Sequence, residues 1–237
     1  MSNRPVEIFD NFMSWSGAVR LALPQHCALC AAASADALVC TACDAALPRL
    51  PPACPRCALP TPGGTVCGRC TARPPVLTTT QAAFAYAYPV DRLLQALKFH
   101  GAIAYADFFA GALASIVTRT PELIIALPLH PSRQRERGFN QAREIARALA
   151  KTLRVPLVQG LVRCRDTAAQ AVLPWAERRR NVRGAFAALP LVAGRRIAIV
   201  DDVMTTGATL TAAADAALRA GAVEVAAYVV ARTLPPS

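Results

Sequence analysis

Apolar residues along the chain fall into two periods. Leu123-Ile124-Ile125-Ala126-Leu127-Pro128-Leu129 and Ile197-Ala198-Ile199-Val200 are unbroken runs, and Val223 to Val230 is interrupted only by Glu224. Such runs mark strands buried on both faces of a parallel sheet. Val76 to Tyr88 predicts one or two further strands, and Val155, Leu157 and Leu161-Val162-Arg163-Cys164 predict shorter ones. Between the runs the period changes to three and four. Ala142, Ile145, Ala146, Leu149 and Ala150 form one helical stripe, and Leu210, Ala213, Ala214, Ala217 and Leu218 another. Asp91 to Phe99 predicts a helix ending in Lys98-Phe99-His100-Gly101, with a second over about 102–118. Strand, polar loop and helix recur in that order. This is an α/β fold, a parallel sheet flanked by helices.

The first 75 residues follow a different logic. Ile8, Phe9, Phe12, Trp15, Val19 and Leu23 share one helical face, which predicts a packing helix within 1–24 that covers the main domain. Residues 25–72 are too poor in large apolar side chains to build a core. They carry four C-x-x-C pairs instead: Cys27/Cys30, Cys40/Cys43, Cys54/Cys57 and Cys67/Cys70. Nine residues separate the first pair from the second, and nine separate the third from the fourth. Two such knuckles complete a tetrahedral four-cysteine zinc site, whose metal supplies folding energy of order 10 kcal/mol. Sequential pairing gives two small ribbons, 27–43 and 54–70; crossed pairing would interleave them. Ala31 and Ala58 stand where glycine often follows a knuckle with positive φ, a mild strain. His26 is expected at the surface rather than on a metal, and Cys164 is expected buried and inert. Arg73-Pro74-Pro75 is a linker, so the main domain spans 76–237.

Two loops carry candidate chemistry, each at the carboxyl end of a strand and the start of a helix. There, unpaired N–H groups and the helix dipole favour phosphate. The first loop follows Ile197 to Val200. It reads Asp201-Asp202-Val203-Met204-Thr205-Thr206-Gly207-Ala208-Thr209. The three threonines offer hydroxyls, and Gly207 allows close backbone approach. Adjacent carboxylates accept hydrogen bonds from a vicinal diol. Phosphate at one end and a diol at the other describe ribose 5-phosphate. The second loop, His130-Pro131-Ser132-Arg133-Gln134-Arg135-Glu136-Arg137-Gly138-Phe139-Asn140-Gln141, places three arginines at alternate positions, able to fork onto phosphate oxygens.

Charge sharpens the picture. Of the net +11, residues 130–183 contribute +9, from 13 Lys/Arg against 4 Asp/Glu. Localised positive charge implies a polyanion, a pyrophosphate or a nucleic-acid backbone. Arg135, Arg178, Arg179 and Arg180 are the candidate nucleic-acid contacts, with Phe139, Trp175 and Phe186 as stacking candidates. The basic stretch 165–183 lacks an apolar stripe and reads as a mobile lid or a surface excursion. Gly101 to Val117 is short for a bilayer and carries Asp107, and Glu7 and Asp10 interrupt any signal segment, so no membrane insertion and a cytoplasmic location are expected.

The tandem cysteine pairs, Leu129-His130-(x)6-Arg137-Gly138-Phe139-Asn140-Gln141, Arg178-(x)2-Asn181-(x)4-Phe186 and Val200 to Thr209 together resemble the ComF family, over almost the whole chain from Leu23. The resemblance implies a type I phosphoribosyltransferase-like sheet preceded by a zinc-ribbon module. It also implies a site for phosphoribosyl pyrophosphate (PRPP) with Mg2+, and a link to single-stranded DNA and the DNA-uptake machinery of natural transformation. In that reading Asp201 and Asp202 hold the ribose hydroxyls, and Thr205, Thr206, Gly207, Ala208 and Thr209 hold the 5-phosphate. Arg133 and Arg137, with Arg135 beside them, face the pyrophosphate. Three classes follow: a PRPP-binding DNA-handling protein, a phosphoribosyltransferase with an open acceptor, and a PRPP-sensing regulator. Only Ala231 to Ser237 follows the last predicted strand, so any hood over the acceptor is expected from the zinc segment and residues 76–100.

Overall fold

The computed structural model describes residues 26–34, 37–100, 104–165, 182 and 184–235. The helix expected within 6–23 and nearly all of the basic stretch 165–183 lie outside the described residues. The chain divides into two compact units, Met1–Leu47 and Pro48–Ser237. The first contains the short helix α1 (Thr41–Ala45). The second opens with the later cysteine pairs and α2 (Gly68–Ala72). It continues through β1 (Thr79–Ala85), α3 (Val90–His100), α4 (Ala104–Ala114), β2 (Leu123–Ala126), α5 (Pro131–Arg137) and α6 (Gln141–Leu153). Then follow β3 (Leu161–Arg163), β4 (Phe186–Ala188), β5 (Arg196–Met204), α7 (Ala208–Arg219) and β6 (Glu224–Arg232).

Four strands form one sheet in the order β1-β6-β5-β2, and every pairing is parallel. Ile197 lies opposite Leu123 on one side and Val225 on the other. Helices cover both faces, which is why the strands read as unbroken apolar runs. Ile197, Ile199, Val225, Ala227 and Val229 pack with Ala213, Ala214 and Ala217 of α7 and with Leu161 and Phe186. The alternate residues Ala198, Val200, Tyr228 and Val230 are buried as well, and α4 and α6 pack on β6 and β5. The small side chains of α7 let that helix approach the sheet closely. The parallel sheet and its helices match the expected fold class.

Three details differ from the expectation. The segment after β2 is not an extended loop, because Pro131 to Arg137 form α5. Proline at the first turn, His130 as the cap and Gly138 at φ 76° as the stop define a short helix. Position 135 therefore lies on the other side of the helix from 133 and 137. Leu157 makes a single bridge to Ile124 rather than a strand. Cys164 is exposed, not buried. Strands β3 and β4 form a two-stranded antiparallel ribbon with Leu161 turned into the core, so alternation puts Val162 and Cys164 outward.

Asn140 joins α6 to the sheet. Its side-chain oxygen accepts from the Ala142 N–H at 3.0 Å and its amide donates to the Leu127 carbonyl at 3.0 Å. On the β1 side, fully buried Phe84 stacks near Phe108 at 6.4 Å and meets Phe109 edge-on at 6.5 Å. The Arg49 guanidinium lies 4.8 Å from the Phe84 ring centre. Phe84→Ala is expected to cost about 3–5 kcal/mol of unfolding free energy, read from urea transitions with zinc held in excess. A loss below about 1 kcal/mol would mean that this cluster does not hold β1 in place.

Candidate functional site

The carboxyl ends of β5 and β6 build the site. Asp201 and Asp202 belong to β5 itself, which runs on to Met204. Alternation gives the two carboxylates different surroundings. Asp202 is buried, and its carboxylate forms an ion pair with Lys98 of α3, while Asp201 is half-buried. One oxygen of Asp201 accepts from the Asp202 N–H at 2.9 Å, and one of Asp202 from the Val203 N–H at 2.8 Å. Burial and the charge of Asp202 hold the Asp201 carboxyl well above the usual carboxylate range. Burial pushes Asp202 the same way, but the Lys98 ammonium more than offsets it and holds Asp202 below that range. Lys98 in turn would be lowered by burial, and the charges of Asp202 and then Asp201 raise it. Asp201 thus resists ionisation, while Asp202 forms a charge pair with Lys98.

Beyond the acids the chain turns into α7. Gly207 caps that helix at φ 79°, and a Cβ there would meet the Met204 Cε at 2.4 Å. The dihedral requires glycine, whereas the Met204 methyl is the end of a flexible side chain that can shift. The Thr206 hydroxyl accepts from the Ala208 N–H at 3.2 Å, and Thr205 is exposed. This turn sets hydroxyls and first-turn N–H groups at the positive end of a twelve-residue helix, a geometry suited to phosphate.

The other expected residues are placed less closely. Arg135 is exposed on α5. The side chains of Arg133 and Arg137, and all of Arg178, Arg179, Arg180 and Trp175, lie outside the described residues. Beside the end of β2, a cleft of about 180 Å³ is lined by Gln134, Asn140, Arg143 and Gln159 among others. Phe186 is no stacking platform. It is 5% exposed in the core, with the Arg163 guanidinium 5.6 Å from its ring centre.

The cysteines gather sequentially, not crossed. Cys27, Cys30, Cys40 and Cys43 form one cluster and Cys54, Cys57, Cys67 and Cys70 the other, with the sulfurs of each within 4.8 Å of one another. The Cys30–Cys40 and Cys57–Cys67 sulfurs are each 3.8 Å apart. Four sulfurs about 2.3 Å from a tetrahedral zinc stand about 3.8 Å apart, so the donors fit that ion. N–H groups of Leu29 and Cys40 point at the Cys27 sulfur at 3.4 and 3.3 Å. The N–H of Cys67 points at Cys54 at 3.4 Å. The N–H bond from Cys40 leads the set that lowers the Cys27 thiol to about 6. Cys54 also falls to about 6, its N–H bonds outweighing burial. Both clusters repeat one design, with Ala31 and Ala58 at φ 59° and 54°. His26 is exposed and outside the four-sulfur set.

Residues 18–71 match the double zinc ribbon domain, and residues 136–234 match the phosphoribosyl transferase domain. The DNA utilization protein YhgH of Escherichia coli O157:H7 is 34% identical over 171 residues, which are 68% of this chain and 75% of that one. Competence protein F of Haemophilus influenzae is 32% identical over 163 residues, 62% of this chain and 69% of its own. The chain belongs to the ComF family. It carries that family's double zinc ribbon, with structural zinc, ahead of a phosphoribosyltransferase-like domain. A glutamine PRPP amidotransferase from B. subtilis superposes with TM-score 0.40 at 22% identity, over 54% of this chain and 26% of that one. Among the described residues, no helix is long and apolar enough to cross a membrane.

Two residues of this ComF-family site escape a reading of the loops alone. Lys98 lies four residues after buried Leu94, at the margin of the α3 stripe, a placement that already turns it toward the core. Arg232 ends a strand buried without a break from Ala227 onward and pairs in register with Met204.

The Lys98–Asp202 pair stabilises at pH values above the ordinary aspartate range, and that contribution fades as pH falls through the lowered Asp202 value. Asp201 has the opposite sign: its raised value favours the fold at low pH, and the benefit is lost as pH rises through it. Lys98→Met should therefore cost about 3 kcal/mol at neutral pH, much of it recovered by adding Asp202→Asn. Asp201→Asn should raise the melting temperature, more so at higher pH. Thermal scans of the three variants at two pH values check both signs. Two zinc ions per chain are expected by elemental analysis.

Proposed function

We propose that this ComF-family protein binds PRPP with Mg2+ at the carboxyl end of β5 and handles single-stranded DNA during DNA uptake. The observation that carries the PRPP reading is Asp201-Asp202 set directly ahead of a glycine-capped helix start. The Thr205–Thr209 turn would hold the 5-phosphate, and the carboxylates would accept from the ribose diol. Their all-oxygen donor set also suits a hard divalent cation. Mg2+, bound with the pyrophosphate, supplies charge neutralisation at that leaving group. Arg133 and Arg137 would take pyrophosphate oxygens from α5.

Phosphoribosyl transfer to a base-like acceptor is the second reading. Tyr86 and Tyr88 favour it, since they are 36% and 77% exposed just past the end of β1 and offer flat surfaces. The bond from C1 to the pyrophosphate oxygen would break, and that oxygen would leave with the electron pair. A nitrogen of the acceptor would form the new bond to C1 and lose its proton. The carboxylates would stabilise the positive charge that develops on the ribose.

The DNA reading rests on the +9 carried by residues 130–183, including exposed Arg135. The names of the relatives, DNA utilization protein and Competence protein F, point the same way. Arg178, Arg179 and Arg180 are the proposed partners of the DNA backbone.

Calorimetry with PRPP and Mg2+ tests the first part. Asp201→Asn with Asp202→Asn should weaken binding at least about 100-fold and leave DNA affinity unchanged. Ionising Asp201 for the ligand releases a proton, so affinity should rise by up to about tenfold per pH unit until Asp201 is ionised in the free protein. A flat pH profile would remove Asp201 from the site. For DNA, replacing Arg178, Arg179 and Arg180 with alanine should lower the salt slope for single strands by about 2. An unchanged slope would exclude that stretch.

A further inference from the structure

Arg232 is 2% exposed, yet the acceptors of its hydrogen bonds are backbone carbonyls rather than a carboxylate. Its Nε donates to the Cys57 carbonyl at 2.9 Å. One terminal nitrogen donates to the carbonyls of Met204 at 2.9 Å, Thr233 at 2.8 Å and Thr205. Cys57 is a zinc ligand of the second ribbon, and Met204 and Thr205 open the turn that leads to Gly207. One guanidinium thus joins a metal knuckle to the phosphate turn. A buried cation is costly unless its donors are met, and here Nε and one terminal nitrogen are met by carbonyls from separate segments, which holds those carbonyls in place.

The knuckle side of this link depends on metal. Cys57 and Ala58 close a tight turn, with the Ala58 N–H donating to the Cys54 carbonyl at 2.8 Å and Ala58 at φ 54°. Zinc on four thiolates has a net charge of about −2, a counter-charge for the guanidinium one residue's backbone away. The ribbon is also tied to β1, where the Thr80 N–H donates to the Pro55 carbonyl at 2.7 Å and its hydroxyl to the Arg56 carbonyl at 2.9 Å. The knuckle is therefore braced on the sheet edge, and Arg232 reaches from it into the ligand turn.

We infer that Arg232 is a positioning residue through which zinc in the second ribbon fixes the 204–208 turn and sets its affinity for a phosphate ligand. The inference rests on the PRPP reading only for the identity of that ligand. Coupling of two sites is reciprocal in binding free energy, so a ligand on the turn should also tighten zinc binding by Cys54, Cys57, Cys67 and Cys70.

Amide hydrogen exchange on the full chain tests the link without any ligand. Stripping zinc with a chelator should speed exchange at Met204 to Ala208 about tenfold or more in the wild type. In Arg232→Met the zinc-loaded chain should already exchange fast there, and chelation should add nothing, while elemental analysis still finds two zinc ions. Should Arg232→Met fail to fold by circular dichroism, Arg232→Lys keeps a buried cation without the fork and serves the same comparison. Exchange in the turn that ignores zinc, or a full zinc response in both Arg232 variants, overturns the inference. A second arm adds PRPP with Mg2+ and measures zinc affinity by equilibrium competition with the chelator. Tighter zinc binding in the wild type and not in the variant supports the coupling. Exchange that follows zinc, with zinc affinity unmoved by PRPP, supports the positioning role and counts against PRPP as the ligand.

Discussion

Two carboxylates continue a strand whose preceding residues are buried on both faces, and the rest of the site answers that constraint. Ile197 to Val200 are at most 1% exposed, so β5 delivers Asp201 and Asp202 to the margin of a low-dielectric core. Two unscreened negative charges cannot be held there side by side. The fold responds in two ways: Lys98 neutralises one carboxylate, and burial raises the pKa of the other.

The same strand explains how much could be read beforehand. Parallel strands covered on both sides announce themselves as unbroken apolar runs, and α6 and α7 as stripes of alanine and leucine. The order of those runs sufficed for the sheet. The acid pair and the Thr-Thr-Gly turn were legible because their spacing has a local meaning. Lys98 and Arg232 were not, since each works on residues more than 20 positions away and only tertiary register brings them there. The α5 helix was hidden by its polarity: Ser132 to Arg137 has no apolar face, and its boundaries rest on Pro131 and Gly138 alone. Cys164 turned outward because a two-stranded ribbon buries one side only.

The two ribbons share a construction but have different neighbours. Each cysteine of the second stands 27 positions after its counterpart in the first, as Cys54 follows Cys27. The first lies in the unit Met1–Leu47, and the second in the unit that holds the sheet. There Thr80, Arg56 and Arg232 tie it to β1, to Leu77 and to the start of the ligand turn. The second ribbon is thus attached to the sheet that bears Asp201 and Asp202.

The left-handed alanines at 31 and 58 bear on how the protein competes for metal. Each costs about 1 kcal/mol relative to glycine in that conformation. For a ribbon that folds only around its ion, folding energy and binding energy are one quantity. Each alanine therefore weakens the hold on zinc by about fivefold.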